Sequence, residues 1–376
     1  SNSNTSASTE PMSEPGNVTR RFERLPAPGR KLLSVITRQA YAGTLRSKPR
    51  GIATMPEVHE ACGLDPDEML PVVATLVDAG FIAVEGEYPF EKVQLIGVPA
   101  ERRVSVNGAD LVLWEWPGDG PSILFCHATG LHSRCWDQVI TQLSGRHCFA
   151  PDFRGHGRSS KTPPYFWRTF GQDAGAIAAS LSLAGALAVG HSMGGNAAVL
   201  AAATHPAAFS ALLLLDPVIR PQEQYIGPFL GAEFVARRRN QWNSPQEMFE
   251  SFEHRPPFAT WDRQVLRDYC EYGLTPSDSG YALACPPAIE AEIYKNGGLP
   301  ESNIYPEISA VQIPVQVVRA RRPADPSEFM RGSPTAPDLA SRFAHGTDLY
   351  LPEYSHFIPM EAPALIAKLI SGLIPG

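Results

Sequence analysis

Residues 186–205 read ALAVGHSMGGNAAVLAAATH, and this stretch decides how the rest of the chain is read. Ala186 to Val189 form a short apolar run with the character of a buried strand. Gly190-His191-Ser192-Met193-Gly194-Gly195 is a turn of small residues, and Asn196 to Thr204 is an alanine-rich helix. A bare G-x-S-x-G would arise by chance in about one chain in five of this composition. The strand before it and the helix after it sharpen the signal, because together they hold a serine exposed at a tight strand-to-helix turn. Glycines are needed there since Cβ atoms would leave no room around the serine. The helix start behind Ser192 also supplies N–H groups and positive potential where an oxyanion would form. Ser192 is therefore the candidate nucleophile, against the plainer reading of a packing turn.

The same alternation extends outward on both sides. VSVNG and LVLWEW (104–116) read as a hairpin turning at Asn107–Gly108. Strands SILFCHA, HCFAPDF, ALAVGHS, ALLLLD, PVQVVRA and TDLYLPE then alternate with helices such as CWDQVITQL, FGQDAGAIAASLSL and EAPALIAKLISGLI. Short apolar runs separated by helices predict a mostly parallel, eight-stranded α/β sheet covered by helices on both faces. Residues 217–306 interrupt the pattern with thirteen aromatics and several prolines. They predict a helical cap over the carboxyl edge of the sheet, where open α/β sheets place their sites.

Ahead of this body, residues 1–29 read as a flexible leader without the basic start and apolar run of a secretory signal. Residues 30–96 carry a helix over 30–42 and a short helix opened by Thr54 and Pro56. A third helix follows, capped by Asp65 with Glu68 in the capping-box position, and then the hairpin FIAVEG/EKVQLI. That order resembles a winged-helix module. This third helix, DPDEMLPVVATLVDA, is acidic and lacks the Lys, Arg, Asn or Gln that reads DNA, so packing, homodimerisation or a substrate-covering role is expected of the module rather than nucleic-acid binding. Residues 97–376 form the remaining domain.

The 376 residues are 43% hydrophobic and 19% charged, with a formal net charge of −7. A core of good size is possible, wholesale disorder is excluded, and general affinity for nucleic acid is not expected. No apolar run is long enough for a membrane span. The six cysteines (Cys62, Cys126, Cys135, Cys148, Cys270, Cys285) are scattered, which points to reduced thiols and a cytoplasmic protein. No His/Cys cluster has zinc spacing, and neither a phosphate loop nor a dinucleotide fingerprint is present, so no metal or cofactor is implied.

From residue 103 onward the chain resembles the α/β-hydrolase superfamily, in its serine-nucleophile branch with a cap domain. The resemblance rests on HATG (127–130), DFRGHGRS (152–159), GHSMGG (190–195) and SHFIPMEAP (355–363). It implies that the residue after the nucleophile, Met193, gives one oxyanion N–H. The loop after the third strand gives the second, here Thr129, with Ala128 standing where a glycine is usual. His356 stands where that superfamily keeps its base, which would activate Ser192. Asp325 stands where the acid usually follows the penultimate strand; Asp216, closing ALLLLD, and Glu328 are the alternatives. His127 reads as an orienter of the oxyanion loop or a pocket wall, His191 as packing or pocket wall, and His156, Asp152 and Asp173 as structural. Trp136, Trp242 and Trp261 read as either pocket lining or cap core. Arg237-Arg238-Arg239 reads as an ion-paired helix face or a holder of an anionic substrate group.

These residues imply acyl transfer through an acyl-enzyme on Ser192, with a small-molecule ester, lactone or related carbonyl compound as substrate. Carbon–carbon bond hydrolysis of a diketone or ring-cleavage product is the rival, since the same triad serves it. A catalytically silent scaffold is the reading from outside enzymology.

Overall fold

The computed structural model describes residues 99–374 except 144, 230 and 324–331, together with 52–53, 66–78, 82–85, 92–95 and the single positions 29, 32 and 58. The chain divides into two compact units, residues 1–100 and 101–376.

In the first unit β1 (Ile52–Ala53), β2 (Ile82–Glu85) and β3 (Lys92–Leu95) form an antiparallel sheet in the order β1-β3-β2. Helix α1 (Pro66–Asp78) starts with proline, whose missing N–H costs nothing in a first turn, and tolerates Pro71 inside. Ile82 pairs with Leu95 and Glu85 with Lys92, so the expected hairpin is present. The helices expected over 30–42 and after Thr54 lie outside the described residues apart from Leu32 and Val58. The winged-helix comparison therefore extends only to α1 and the small sheet.

The second unit is built on eight strands: β4 (Ala100–Val106), β5 (Ala109–Trp116), β6 (Ser122–Cys126), β7 (His147–Pro151), β8 (Ala186–His191), β9 (Phe209–Leu215), β13 (Val315–Ala320) and β14 (Gly346–Leu351). Strands β10 (Gln241–Trp242), β11 (Leu274–Ser277) and β12 (Gly280–Leu283) belong to the cap. The main sheet runs β14-β13-β9-β8-β6-β7-β5-β4. The β4–β5 turn has Asn107 at φ 47° and Gly108 at φ 73°, the left-handed pair that matches strand twist in a two-residue hairpin. β5 meets β7 antiparallel, and every pairing from β7 through to β14 is parallel. The fold is the expected α/β arrangement.

Its topology fixes the site. From β6 the chain moves outward to β7, then returns to place β8 on the other side of β6, so strand order reverses between β6 and β8. Cys126 pairs with Gly190, which sets the loops leaving these two strands, HATG and GHSMGG, side by side. One face of the sheet packs α2 (Trp167–Ser180) and α3 (Met193–Thr204), with Phe153, Phe170, Val199 and Leu214 fully buried among them. The opposite face packs Trp136, Ile140, Ile366 and Ile370, the last two from the C-terminal helix Pro363–Leu373.

The cap carries α4 (Pro245–Phe252), α5 (Arg263–Tyr272) and α6 (Pro287–Asn296). It is not purely helical, as the sequence had suggested: β10, β12 and β11 form a second antiparallel sheet, with Trp242 opposite Tyr281 and Leu274 opposite Leu283. These strands are two to four residues long and contain Pro276 and Gly280, so no alternating pattern announces them.

Candidate active site

Ser192 stands at the tip of the β8–α3 turn with φ 58° and ψ −118°, a strained conformation for a residue with a Cβ. The turn closes only because Gly190 and Gly194 are bare. A Cβ on Gly190 would run into the Gly194 carbonyl, and one on Gly194 into the carbonyl of Cys126. The Ser192 N–H donates to Leu215 O and its carbonyl accepts from Val218 N at 3.0 Å, which pins the turn to the end of β9.

His356 follows β14 and presents Nε2 to Ser192 Oγ at 3.0 Å. Its Nδ1 lies 2.6 Å from Asp216 Oδ2. The carboxylate beside this imidazole is thus the one closing β9, the alternative placement, and the expected Asp325 lies outside the described residues, as does Glu328. Nδ1 has a single hydrogen to give, and it points at Asp216. Asp216 is fully buried, has φ 45°, and accepts on Oδ1 from Ala320 N at 2.9 Å and Ser333 Oγ at 2.5 Å; Thr335 Oγ1 lies 3.3 Å away and gives its hydrogen to Pro217 O at 2.7 Å. The last N–H of β13 and a hydroxyl from the segment after it therefore hold an acid delivered by another strand. Nothing in the sequence marked Ser333 or Thr335, since hydroxyls in a Pro-rich loop carry no pattern.

Met193 heads α3, so its N–H is among those that no turn of the helix can satisfy. Thr129 is brought against it, with Thr129 Oγ1 3.3 Å from Met193 Sδ. Ala128 adopts no positive φ, so alanine fits the oxyanion loop without backbone strain. Behind that loop, Phe153 N donates to His127 Nε2 at 3.0 Å, so Nδ1 carries the hydrogen and donates to Ala128 O at 2.8 Å. Burial pushes the His127 pKa down to about 4, keeping it neutral. With both ring nitrogens given to the backbone, His127 orients the loop and has no ring nitrogen left for a substrate. His156 does the same for the next residue, accepting from Gly130 N at 3.1 Å. Asp152 accepts from Ser133 N and Arg158 N; burial acts to raise its pKa, but His132, His127 and these N–H groups hold it below the usual carboxylate range. Asp173 is paired with the buried Arg154.

The three tryptophans separate. Trp136 packs on Phe125 on the opposite face of the sheet from α3, with ring centroids 5.2 Å apart, and so is core and not pocket lining. Trp242 and Trp261 sit in the cap cluster with Ala128, Leu131 and Phe357. Trp261 lies 5.3 Å from Phe357, which in turn contacts the His356 ring. Neither indole N–H has a hydrogen-bond partner among the described residues. Arg238 turns inward to Glu290 Oε2 at 2.5 Å and Tyr269 OH at 3.1 Å, while Arg239 pairs with Glu247 on the surface. The ion-paired reading of this run thus fits, although one pair is buried rather than solvated. Arg238, Tyr269 and Gly130 line a small cavity with room for about one water. Ser192 and His356 do not line it.

Residues 123–369 match the alpha/beta hydrolase family. The chain belongs to that family. It is an enzyme of the hydrolase type. Among curated proteins it is similar to the 2-(acetamidomethylene)succinate hydrolase of Mesorhizobium japonicum, 26% identical over 270 residues that cover 69% of this chain and 92% of that one. Among solved structures it is similar to E-2-(acetamidomethylene)succinate hydrolase, with a TM-score of 0.60, 22% identity, and 73% and 99% of the two chains covered. The thioesterase domain from the curacin biosynthetic pathway gives a TM-score of 0.59 at 19% identity, covering 73% and 99%. No helix among the described residues is long and apolar enough to cross a membrane.

Proposed function

We propose that the protein hydrolyses a carboxylic ester or lactone of a small molecule through an acyl-enzyme on Ser192. The observation that carries this reading is the continuous line Asp216 Oδ2–His356 Nδ1 and His356 Nε2–Ser192 Oγ, at 2.6 and 3.0 Å. Asp216 fixes the imidazole with its hydrogen on Nδ1, leaving the Nε2 lone pair to take the serine proton. Ser192 attacks the carbonyl carbon, and the negative oxygen is received by the N–H groups of Met193 and Thr129. His356 then passes its proton to the leaving oxygen. Water, deprotonated by the same nitrogen, releases the acid and restores the serine. Trp242 and Trp261 are the substrate-facing members of the cap cluster.

A second reading is hydrolysis of a carbon–carbon bond in a diketone or ring-cleavage product. Against a fatty ester as substrate stands the relative matched over 92% of its length, whose name gives hydrolysis of a substituted succinate, a small polar acid. The N-terminal unit is assigned packing or homodimerisation as a winged-helix-like module, and the five cysteines among the described residues, all free and buried, suit a reducing cytoplasm.

Steady-state hydrolysis of p-nitrophenyl esters from acetate to octanoate, with Ser192→Ala beside wild type, tests the first reading. Turnover that falls to background in the variant supports it. A folded wild type inert on every ester would shift the assignment to carbon–carbon hydrolysis.

A further inference from the structure

His191 is the last residue of β8 and immediately precedes Ser192. It is fully buried, and its Nε2 lies 2.8 Å from the main-chain oxygen of His356. A carbonyl oxygen only accepts, so Nε2 carries the hydrogen and Nδ1 is bare. The two imidazole rings are 5.1 Å apart, and Phe357 closes the other side at 6.2 Å. Burial, then the neighbouring His356, push the His191 pKa well below its ordinary value, so the ring stays neutral.

The sheet order explains why such a bond matters. Between β8, which carries the serine, and β14, which precedes His356, stand β9 and β13. Three strand spacings amount to about 14 Å, so no ladder hydrogen bond holds the His356 loop to the elbow. The bonds at the imidazole edge are those to Asp216 and Ser192, and the one to Ser192 is broken and remade as the proton moves. The bond from His191 goes to the backbone and is untouched by proton transfer.

We propose that His191 is a positioning residue for the base: its Nε2–H ties the main chain of His356 to the elbow and keeps Nε2 in reach of Ser192. This rests on the reading of Ser192 and His356 as nucleophile and base. A base displaced by about 1 Å costs up to about a hundredfold in rate, so loss of the tie appears in kcat and not in KM.

The test compares three variants of the full chain. His191→Gln keeps an amide N–H at the reach of Nε2. His191→Asn stops short of it, and His191→Phe keeps the ring but no donor. On p-nitrophenyl acetate, the Asn and Phe variants are expected to lose about ten- to a hundredfold in kcat with KM within about twofold, and Gln to recover most of it. In parallel, the low-field proton of the His356–Asp216 bond, assigned by its loss in His356→Ala, is followed by NMR without substrate. It should broaden in the Asn and Phe variants and sharpen again in Gln. Unchanged kcat and an unchanged signal in the Asn variant overturn the proposal, as does an equal loss in Gln and Asn. Wild type and Ser192→Ala sharing one background rate would instead overturn the catalytic reading, and the NMR arm alone then decides whether His191 holds His356.

Discussion

Asp216 Oδ2 meets His356 Nδ1 at 2.6 Å, joining the end of β9 to a loop 140 residues further along the chain. The acid reaches the histidine from β9 because β9 lies between β8 and β13, directly beside the strand that carries the serine. Asp216 adopts φ 45°, a conformation in which aspartate is several-fold enriched, and this turns its carboxylate up from the sheet toward His356. The segment after β13 then fills the space behind it with Ser333 and Thr335.

Asp216→Asn should lower kcat by about 10³- to 10⁴-fold, because an amide no longer selects the productive imidazole tautomer. Asp325→Asn should leave kcat within about twofold, since the Nδ1 hydrogen is already given to Asp216. Steady-state kinetics of the two variants decide the assignment; the reverse ranking would return the acid to the position after β13.

Ser333→Ala removes a donor at 2.5 Å from Asp216 Oδ1 and leaves Ala320 N, since Thr335 gives its hydrogen to Pro217 O. A charge-assisted bond of this kind is worth about 1.5–3 kcal/mol. Part of that should appear as a fall of about tenfold in kcat, because a looser carboxylate orients the imidazole less well. A kcat equal to wild type would show that the backbone N–H alone holds the acid.

How much of this was legible follows from the kind of signal each feature leaves. The elbow was readable because its steric demand falls on glycines next to a strand and before a helix. His356 was readable only through the resemblance, since one histidine among ten has no local mark. Asp216 sat in plain view at the end of ALLLLD, but a strand-ending aspartate and a loop aspartate look alike until the sheet order is known. Trp136 and Trp261 are indistinguishable by type; which face of the sheet each one reaches is decided by tertiary packing. The cap sheet was missed because strands of two to four residues leave no periodicity.

Asp268 lies on α5, where the cap meets the body, and accepts from Gln138 Nε2 at 2.6 Å and Gln264 Nε2 at 2.9 Å. Burial first, then Asp137, push its pKa from 3.8 up to about 7. The folded protein therefore keeps this proton over a range where the unfolded chain has lost it, and stability falls as pH rises from about 4 to about 7 before levelling off. Asp268→Asn removes the penalty, with Gln138 turning its amide to accept from the new NH₂. The variant should gain about 1–2 kcal/mol at pH 8, roughly 2–8 °C in Tm, and about a third as much at pH 5. Melting curves at both pH values check this, and an equal shift at the two would rule out titration of Asp268.

Trp136 and Trp261 give the cleanest separation of core from pocket. Trp136→Ala empties a fully buried site between the sheet and its helices, where loss of an aromatic side chain costs about 3–5 kcal/mol. Its kcat and KM at 20 °C should stay close to wild type wherever the variant remains folded. Trp261→Ala acts beside Phe357, the neighbour of His356, and removes an indole N–H that has no partner among the described residues. KM should rise by about five- to twentyfold, the worth of a contact of 1–2 kcal/mol, with a smaller loss of Tm than in Trp136→Ala. If Trp261→Ala leaves KM unchanged across the whole ester series, the indole belongs to the cap core.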